Sequence, residues 1–138
     1  MSQWGDIVDA IEAHCRTAMS DMGADEIGFE RNEAPTAGEL ARAQLPHVYC
    51  WHDAEAADPL DYNQYAIRYA VQLDIYVRAE TQEALSVRLD TLRDTIEADP
   101  TLGGLVDACY VAQRGIAKPY PGKSERTAYV LVESRWVR

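Results

Sequence analysis

The feature that most constrains the fold is a long segment, residues 65–78, in which large apolar side chains occupy every second position. This period of two matches an extended β-strand, whose successive side chains point to opposite faces of a sheet. The alternation lasts for about fourteen residues, whereas a strand usually has about five or six. The alternating positions are Tyr65, Ile67, Tyr69, Val71, Leu73, Ile75 and Val77. The pattern therefore predicts a long strand that packs one face against a core.

Two segments on either side of this strand have the period of an amphipathic α-helix. In residues 3–22 and in residues 80–98, apolar side chains recur at steps of three and four, which places them on one stripe of a helix. Gly23 suits a left-handed end for the first helix, and Asp99-Pro100 ends the second because proline cannot donate to the helix ladder. Each helix is predicted to bury its stripe. The stripes are Trp4, Ile7, Val8, Ile11, Cys15, Ala18, Met19 and Met22, and Leu85, Leu89, Leu92 and Ile96.

Further strands are predicted before and after the second helix. Residues 46–52 are rich in Val, Tyr and Trp and precede the polar, acidic residues 53–63, which predicts a strand followed by an exposed loop. Residues 106–112 form an apolar stretch after a glycine-containing turn, and residues 127–137 alternate again. This order favours a single α+β domain, residues 1–138, with a mostly antiparallel sheet covered on one face by two amphipathic helices.

The composition is that of a globular protein, with 47% hydrophobic and 26% charged residues. The apolar runs are far shorter than the ~20 residues that span a bilayer, and the start of the chain lacks the regions of a signal peptide. We therefore expect no membrane segment. Cys15, Cys50 and Cys109 are an odd number at wide spacing, which favours reduced, buried thiols over a disulfide framework.

Charge is distributed unevenly along the chain. Residues 1–113 contain 7 Lys/Arg and 21 Asp/Glu, a net of −14, whereas residues 114–138 contain 6 and 2, a net of +4. An acidic surface repels phosphate, so we expect no nucleic-acid binding through backbone neutralisation. A basic end beside an acidic body can favour head-to-tail assembly of identical chains, since each positive edge can face a negative one. The alternative is a solvated basic end with scattered charges.

The sequence carries no motif that predicts catalysis or a cofactor. His47, Cys50 and His52 resemble a metal cluster, but on a strand Cys50 and His52 share a face while His47 lies on the other. The cysteines and histidines lack a nucleophile signature, and Gly103-Gly104 lacks the lysine and the spacing of a phosphate-binding loop. The sequence therefore favours a protein that is not an enzyme and holds no cofactor or metal. A small metal- or ligand-binding domain is the alternative.

Residues 114–126 contain two glycines, two prolines and four basic residues, which predicts a flexible arm. Cations alternate there with an aromatic residue, as in a single-strand nucleic-acid binder, but the acidic body opposes that role. Pro119-Tyr120-Pro121 favours an extended segment, and tyrosine is a frequent interface anchor. We therefore predict a protein interface formed by Lys118, Pro119, Tyr120, Lys123 and Arg126.

Several of these segments together resemble a known family. They are the long alternating strand, the helix ETQEALSVRLDTLRDTIEADPTL with the Gly103-Gly104-Leu105-Val106-Asp107 motif that follows it, and the closing strand RTAYVLVESRWVR. This combination is similar to the tail terminator, or minor tail protein U, family of siphophages and gene transfer agents. The resemblance covers residues 3–22 and 46–138.

The resemblance implies a structural virion protein that forms a hexameric ring on the end of the tail tube, ends tail polymerisation and offers the head-joining surface. The implied partners are copies of itself, the tail tube protein and a head-completion or neck protein. The implied location is the tail–head junction of the virion, with the host cytoplasm during assembly. Related neck proteins are similar, so another head–tail connector or neck adaptor is the alternative role.

Overall fold

The computed structural model describes residues 3–19, 28–31, 47–61, 63–78, 82–116 and 125–137. Within these ranges the chain forms two helices and five strands. In chain order they are α1 (Gln3–Ala18), β1 (Gly28–Arg31), β2 (His47–Asp61), β3 (Gln64–Arg78), α2 (Gln82–Glu97), β4 (Ala108–Ile116) and β5 (Glu125–Val137).

The five strands form one sheet in the order β1-β2-β3-β5-β4. The short β1 runs parallel to the start of β2, and the β2–β3, β3–β5 and β4–β5 pairs are antiparallel. Asn63, in the tight turn between β2 and β3, adopts a positive φ of 61°, which asparagine tolerates better than most residues. The predicted α+β architecture with a mostly antiparallel sheet is confirmed.

One face of the sheet is covered by the helices. The alternating side chains of β3 from Ile67 to Ile75 and the apolar ones of β5 point to this face and are almost completely buried, as are the four predicted stripe residues of α2. Helix α2 packs against α1, β4 and β5. Helix α1 reaches β3, where the rings of Trp4 and Tyr69 stack with their centroids 5.9 Å apart. The predicted core is therefore confirmed in these elements, except that Trp4 is 41% and Tyr65 46% exposed. Met22 of the first predicted stripe lies outside the described residues.

The prediction of an exposed acidic loop at residues 53–63 was wrong, because β2 continues to Asp61. Its second half pairs with β3 in a long hairpin, after a register shift between His52 and Ala54. Proline is tolerated at residue 59 because β1 pairs with β2 only as far as Cys50, so this half of β2 lies at the edge of the described sheet. The cross-strand pairing outweighs the loop-like local composition.

The segment between α2 and β4 is an ordered turn built around Asp99. One carboxylate oxygen of Asp99 accepts a hydrogen bond from the Gly103 N–H at 3.0 Å, and the other lies 3.0 Å from His14 Nε2 on α1. Leu102 takes a positive φ of 48° and buries its side chain in the core. At the far end, the Asp107 carboxylate accepts a hydrogen bond from the Val137 N–H at 2.9 Å. The turn that contains Gly103 and Gly104 is thus tied to helix α1 through Asp99, to strand β5 through Asp107 and to the core through Leu102.

Candidate assembly surfaces

The predicted interface residues Lys118, Pro119, Tyr120 and Lys123 lie outside the described residues. Arg126 is in β5, with its backbone paired to that of Val77. The two ends of the predicted arm belong to strands, since β4 extends to Ile116 and β5 begins at Glu125. Flexibility and partner contact of the central residues stay predictions.

The metal-like residues His47, Cys50 and His52 all lie in β2, where Cys50 is buried and paired with Leu73 of β3. In the ranges that the structure covers, no group of three His, Cys, Asp or Glu side chains is placed to hold a metal ion. Likewise, neither α1 nor α2 is long and apolar enough to cross a membrane.

Cys15, Cys50 and Cys109 are buried, as the sequence predicts, and none of the three is in a disulfide. Burial is the main cause that raises the pKa of the Cys15 thiol above its ordinary value, with smaller contributions from Cys50 and Glu12. Burial also raises the pKa of Cys109, against the opposing effect of a contact from Ser134 Oγ at 3.7 Å. Neutral buried thiols are structural residues and poor nucleophiles.

The opposite face of the sheet is polar, and no helix of the described chain covers it. On this outer face Asp58 accepts a short hydrogen bond of 2.7 Å from Arg68 Nε, and Tyr110 Oη donates to Glu133 at 3.0 Å. Asp58 raises the pKa of Arg68 by hydrogen bonding and by its charge. Desolvation is the main cause that raises the pKa of Tyr110, followed by its contacts with Glu133. Polar pairs therefore fix the side chains of a solvent-facing surface.

Two arginines lie directly opposite each other on this face. Arg68 of β3 and Arg135 of β5 are register partners, and like charges in that position repel. Val137 follows two positions after Arg135, and Tyr110 of β4 pairs with Glu133. Because alternate residues share a face, these side chains are neighbours. We call them the sheet patch: Arg68, Tyr110, Glu133, Arg135 and Val137.

A second surface of different character lies on α1. Its first half carries Asp6 and Asp9 one turn apart, and the single arginine of the helix, Arg16, lies 3.5 Å from Glu12 further along. Trp4 is partly exposed at the start of the same helix. Residues two positions apart on a helix face nearly opposite directions, so Asp6 and Asp9 lie away from the stripe that carries Trp4. We call Asp6 and Asp9 the helix patch. It lies on the helical side of the domain, opposite the sheet patch.

Neither patch was identified from the sequence as a candidate site. The alternation of β3 and β5 shows that Arg68 and Arg135 each face solvent, but it does not show that they are register partners. That alignment depends on the pairing of strands separated by a helix and another strand. The helical period of residues 3–22 places Asp6 and Asp9 away from the apolar stripe, but it does not single them out as a site.

Comparison with known proteins gives matches among solved structures alone. Neither a family model nor a curated protein matches this sequence. One matching solved chain, from the virion of a native gene transfer agent particle, is 11% identical with a TM-score of 0.53, over 90% of this chain and 92% of that one. Another is 20% identical over 98% of this chain and 96% of its own, but its TM-score is 0.49, too low to support a conclusion. The first match shows that this chain shares its fold with a chain of a gene transfer agent virion.

Proposed function

We propose that this chain is a non-enzymatic structural subunit of a phage-like particle, a tail terminator that caps the tail tube as a ring. The observation that carries the proposal is the fold shared with a chain of a gene transfer agent virion along nearly the whole length of both chains. The sequence resemblance to the tail terminator family supports the same role. The proposed partners are copies of this chain, the tail tube protein and a head-completion protein.

The surface features support an assembly role. The sheet patch is held by defined hydrogen bonds and lies on a face that no described helix covers. Two members of the patch, Tyr110 and Val137, are exposed aromatic and apolar side chains near the end of the sheet where β5 finishes. Tyrosine and arginine are enriched among residues that anchor protein interfaces.

A tube-capping experiment tests the proposal. Purified tail tubes from the same particle are mixed with the gold-labelled chain and then supplied with free tube subunits. A terminator is expected to bind at one end of each tube and to stop elongation there, as seen by electron microscopy. Tubes that bind no chain and lengthen at the rate of untreated tubes would contradict a terminator.

The second candidate is another head–tail connector or neck adaptor. It is favoured by the same shared fold, because a virion contains several neck components and the match does not assign this chain to one of them. An adaptor is expected to bind the head-side connector and to leave tube elongation unaffected. Binding to purified tubes and to purified connectors, measured in parallel, therefore separates the two roles.

A further inference from the structure

We infer that the central arm of one subunit, residues 117–124, binds the end of the β2–β3 hairpin of a second copy of this chain. We call the exposed residues Pro59, Leu60 and Tyr65 the hairpin tip. The contact rests on the proposed ring-forming role and joins the subunits of the ring. It is carried by the exposed apolar surface of the tip, the opposite charges of the two segments and their positions at opposite ends of the same strands.

The hairpin tip extends past the part of the sheet that the helices bury. Tyr65 and Ile67 point to the same face of β3, yet Ile67 is completely buried and Tyr65 is 46% exposed. Pro59 is the register partner of Tyr65 and is also exposed, and Leu60 next to it is 48% exposed. Adjacent exposed apolar side chains with polar surroundings are typical of a site for a protein partner.

The central arm has the composition that such a surface binds. It contains Pro119-Tyr120-Pro121, and prolines at this spacing favour an extended segment whose rings pack on exposed aromatic side chains. Tyr65, with Pro59 opposite it on β2, provides an aromatic side chain of this kind. The apolar parts of the two segments are therefore complementary.

The charges of the two segments are opposite. Lys118 and Lys123 are the two lysines of the whole chain, and residues 117–124 contain no acidic residue. Residues 53–64, which include the hairpin tip, contain four acidic residues and no lysine or arginine. One of the four, Asp58, is neutralised by a hydrogen bond of 2.7 Å from Arg68. The segment still carries a formal charge of −3 without it, four less one, opposite the +2 of the arm.

The arm and the tip lie at opposite ends of the same strands. Ile116 is paired with Ala128, and residues 128–137 of β5 run from there toward the hairpin tip over about 30 Å. Residues 117–124 are joined at their ends to Ile116 and Glu125, and even a fully extended loop of this length reaches no more than about 16 Å from those ends. The arm can therefore reach the tip of a different subunit only.

The separation of the two surfaces also determines the kind of assembly. A subunit whose arm is bound still offers its own tip, so the contact repeats from subunit to subunit and closes as a ring when the rotation per subunit allows it. An antiparallel two-fold dimer, in which each arm binds the other tip, uses the same contact and stops at two copies. The number of subunits in the assembly therefore separates a ring from a dimer.

Zero-length cross-linking of the full-length chain tests the contact. A carbodiimide joins a lysine amine to a carboxylate that touches it, and both lysines of the chain belong to the arm. In an equal mixture of unlabelled and isotope-labelled chains, mass spectrometry is expected to find cross-links from the arm lysines of one chain to the carboxylates of residues 53–61 of the other. Cross-links between chains that join the lysines only to other carboxylates, or their complete absence, would overturn the inference.

Substitutions on each side of the contact test it independently. Tyr65→Ala removes the aromatic side chain of the tip, and Lys118→Glu/Lys123→Glu places like charges across the contact. Each is expected to weaken self-association by about tenfold or more, measured by sedimentation equilibrium of the purified chain. Circular dichroism checks that each variant keeps its fold.

Two variants away from the contact are matched controls. Tyr110→Ala removes another exposed tyrosine, on the outer sheet face, and Arg88→Glu/Arg93→Glu makes the same change of net charge on α2. Both are expected to associate like the wild type. Folded tip and arm variants that also associate like the wild type, or that are no weaker than these controls, are incompatible with the contact.

These measurements contain no tail component, so the contact and the terminator role can fail separately. A chain that cross-links as expected but neither binds nor caps tubes keeps the contact and contradicts a terminator. The tail tube protein is the other occupant to be tested. If Tyr65→Ala lowers binding to tubes but leaves self-association and cross-linking unchanged, the tip binds the tube and the inferred contact is wrong.

Discussion

At the scale of single residues, a close approach between β4 and β5 depends on a glycine. Gly115 of β4 is paired with Tyr129 of β5, and a Cβ at residue 115 would lie 2.5 Å from Tyr129 Cε1. The tyrosine ring thus lies across the glycine, an arrangement that covers backbone which glycine leaves exposed. A hydrogen bond of 3.1 Å from the Gln113 amide to Tyr129 Oη holds the ring there.

We therefore expect Gly115→Ala to lower the free energy of unfolding by about 1–3 kcal/mol, the usual cost of overpacking. Urea unfolding measures the change. In a Tyr129→Ala background the added methyl group has no ring to meet, so the same substitution should cost less than about 1 kcal/mol. Equal costs in the two backgrounds would show that the ring contact is not the cause.

The buried thiols predict how stability depends on pH. The pKa of Cys15 and of Cys109 is raised in the folded chain, chiefly by burial. An unfolded thiol loses its proton at a pKa of about 8.5, so above that pH the unfolded chain binds fewer protons than the folded chain. Stability from these groups is fully present below that pH and declines as pH rises beyond it.

We expect the free energy of unfolding to decrease between about pH 8.5 and pH 10, and to decrease less steeply in Cys15→Ala. Urea unfolding at a series of pH values gives both slopes. The folded chain should also resist alkylation at pH 8 and react fully after denaturation, because the thiolate is the reactive form. A Cys15→Ala slope equal to that of the wild type would contradict the assigned role of this thiol.

At the scale of elements, periodicity predicted the structure where one face of an element is buried. Helix α2 and strands β3 and β5 follow their sequence patterns because each packs a continuous apolar face on the core. The second half of β2 could not be predicted in the same way. Its short-range signals are acidic residues and Pro59, and its extended form comes from pairing with β3.

Helix α2 offers a direct comparison of buried and exposed apolar residues. Leu92 is completely buried, whereas Val87 on the same helix is 58% exposed. Leu92→Ala is expected to lower the free energy of unfolding by about 2–5 kcal/mol, through lost burial and the cavity left behind. Val87→Ala should change it by no more than about 0.5 kcal/mol. Urea unfolding of both variants tests this, and similar costs would contradict the packing of α2.

The candidate surfaces were less predictable than the elements. The sequence pointed to a basic arm centred on Tyr120, whereas the structure brings Arg68 and Arg135 together on the outer sheet face. Arg114, the first basic residue of that arm, instead forms an ion pair with Asp90 of α2 in the same subunit. A surface made from strands that are distant in sequence depends on the register between them. Composition along the chain does not predict that register.

At the scale of the whole molecule, the structure shows where some of the unevenly distributed charges of the sequence lie. The chain carries a net charge of −10, yet the outer sheet face places two arginines side by side. Asp58 and Glu133 lie beside them on the same face, so the charges of this surface are mixed, and Asp6 and Asp9 lie on the helical side.

We propose that the chain ends tail growth in a phage-like particle. The distribution of tail lengths in particles from cells that lack the chain, measured by electron microscopy, tests it most directly. We expect overlong tails of variable length that do not join heads, and restoration of uniform tails when the chain is supplied again. Tails of normal length that are attached to heads in the absence of the chain would contradict it.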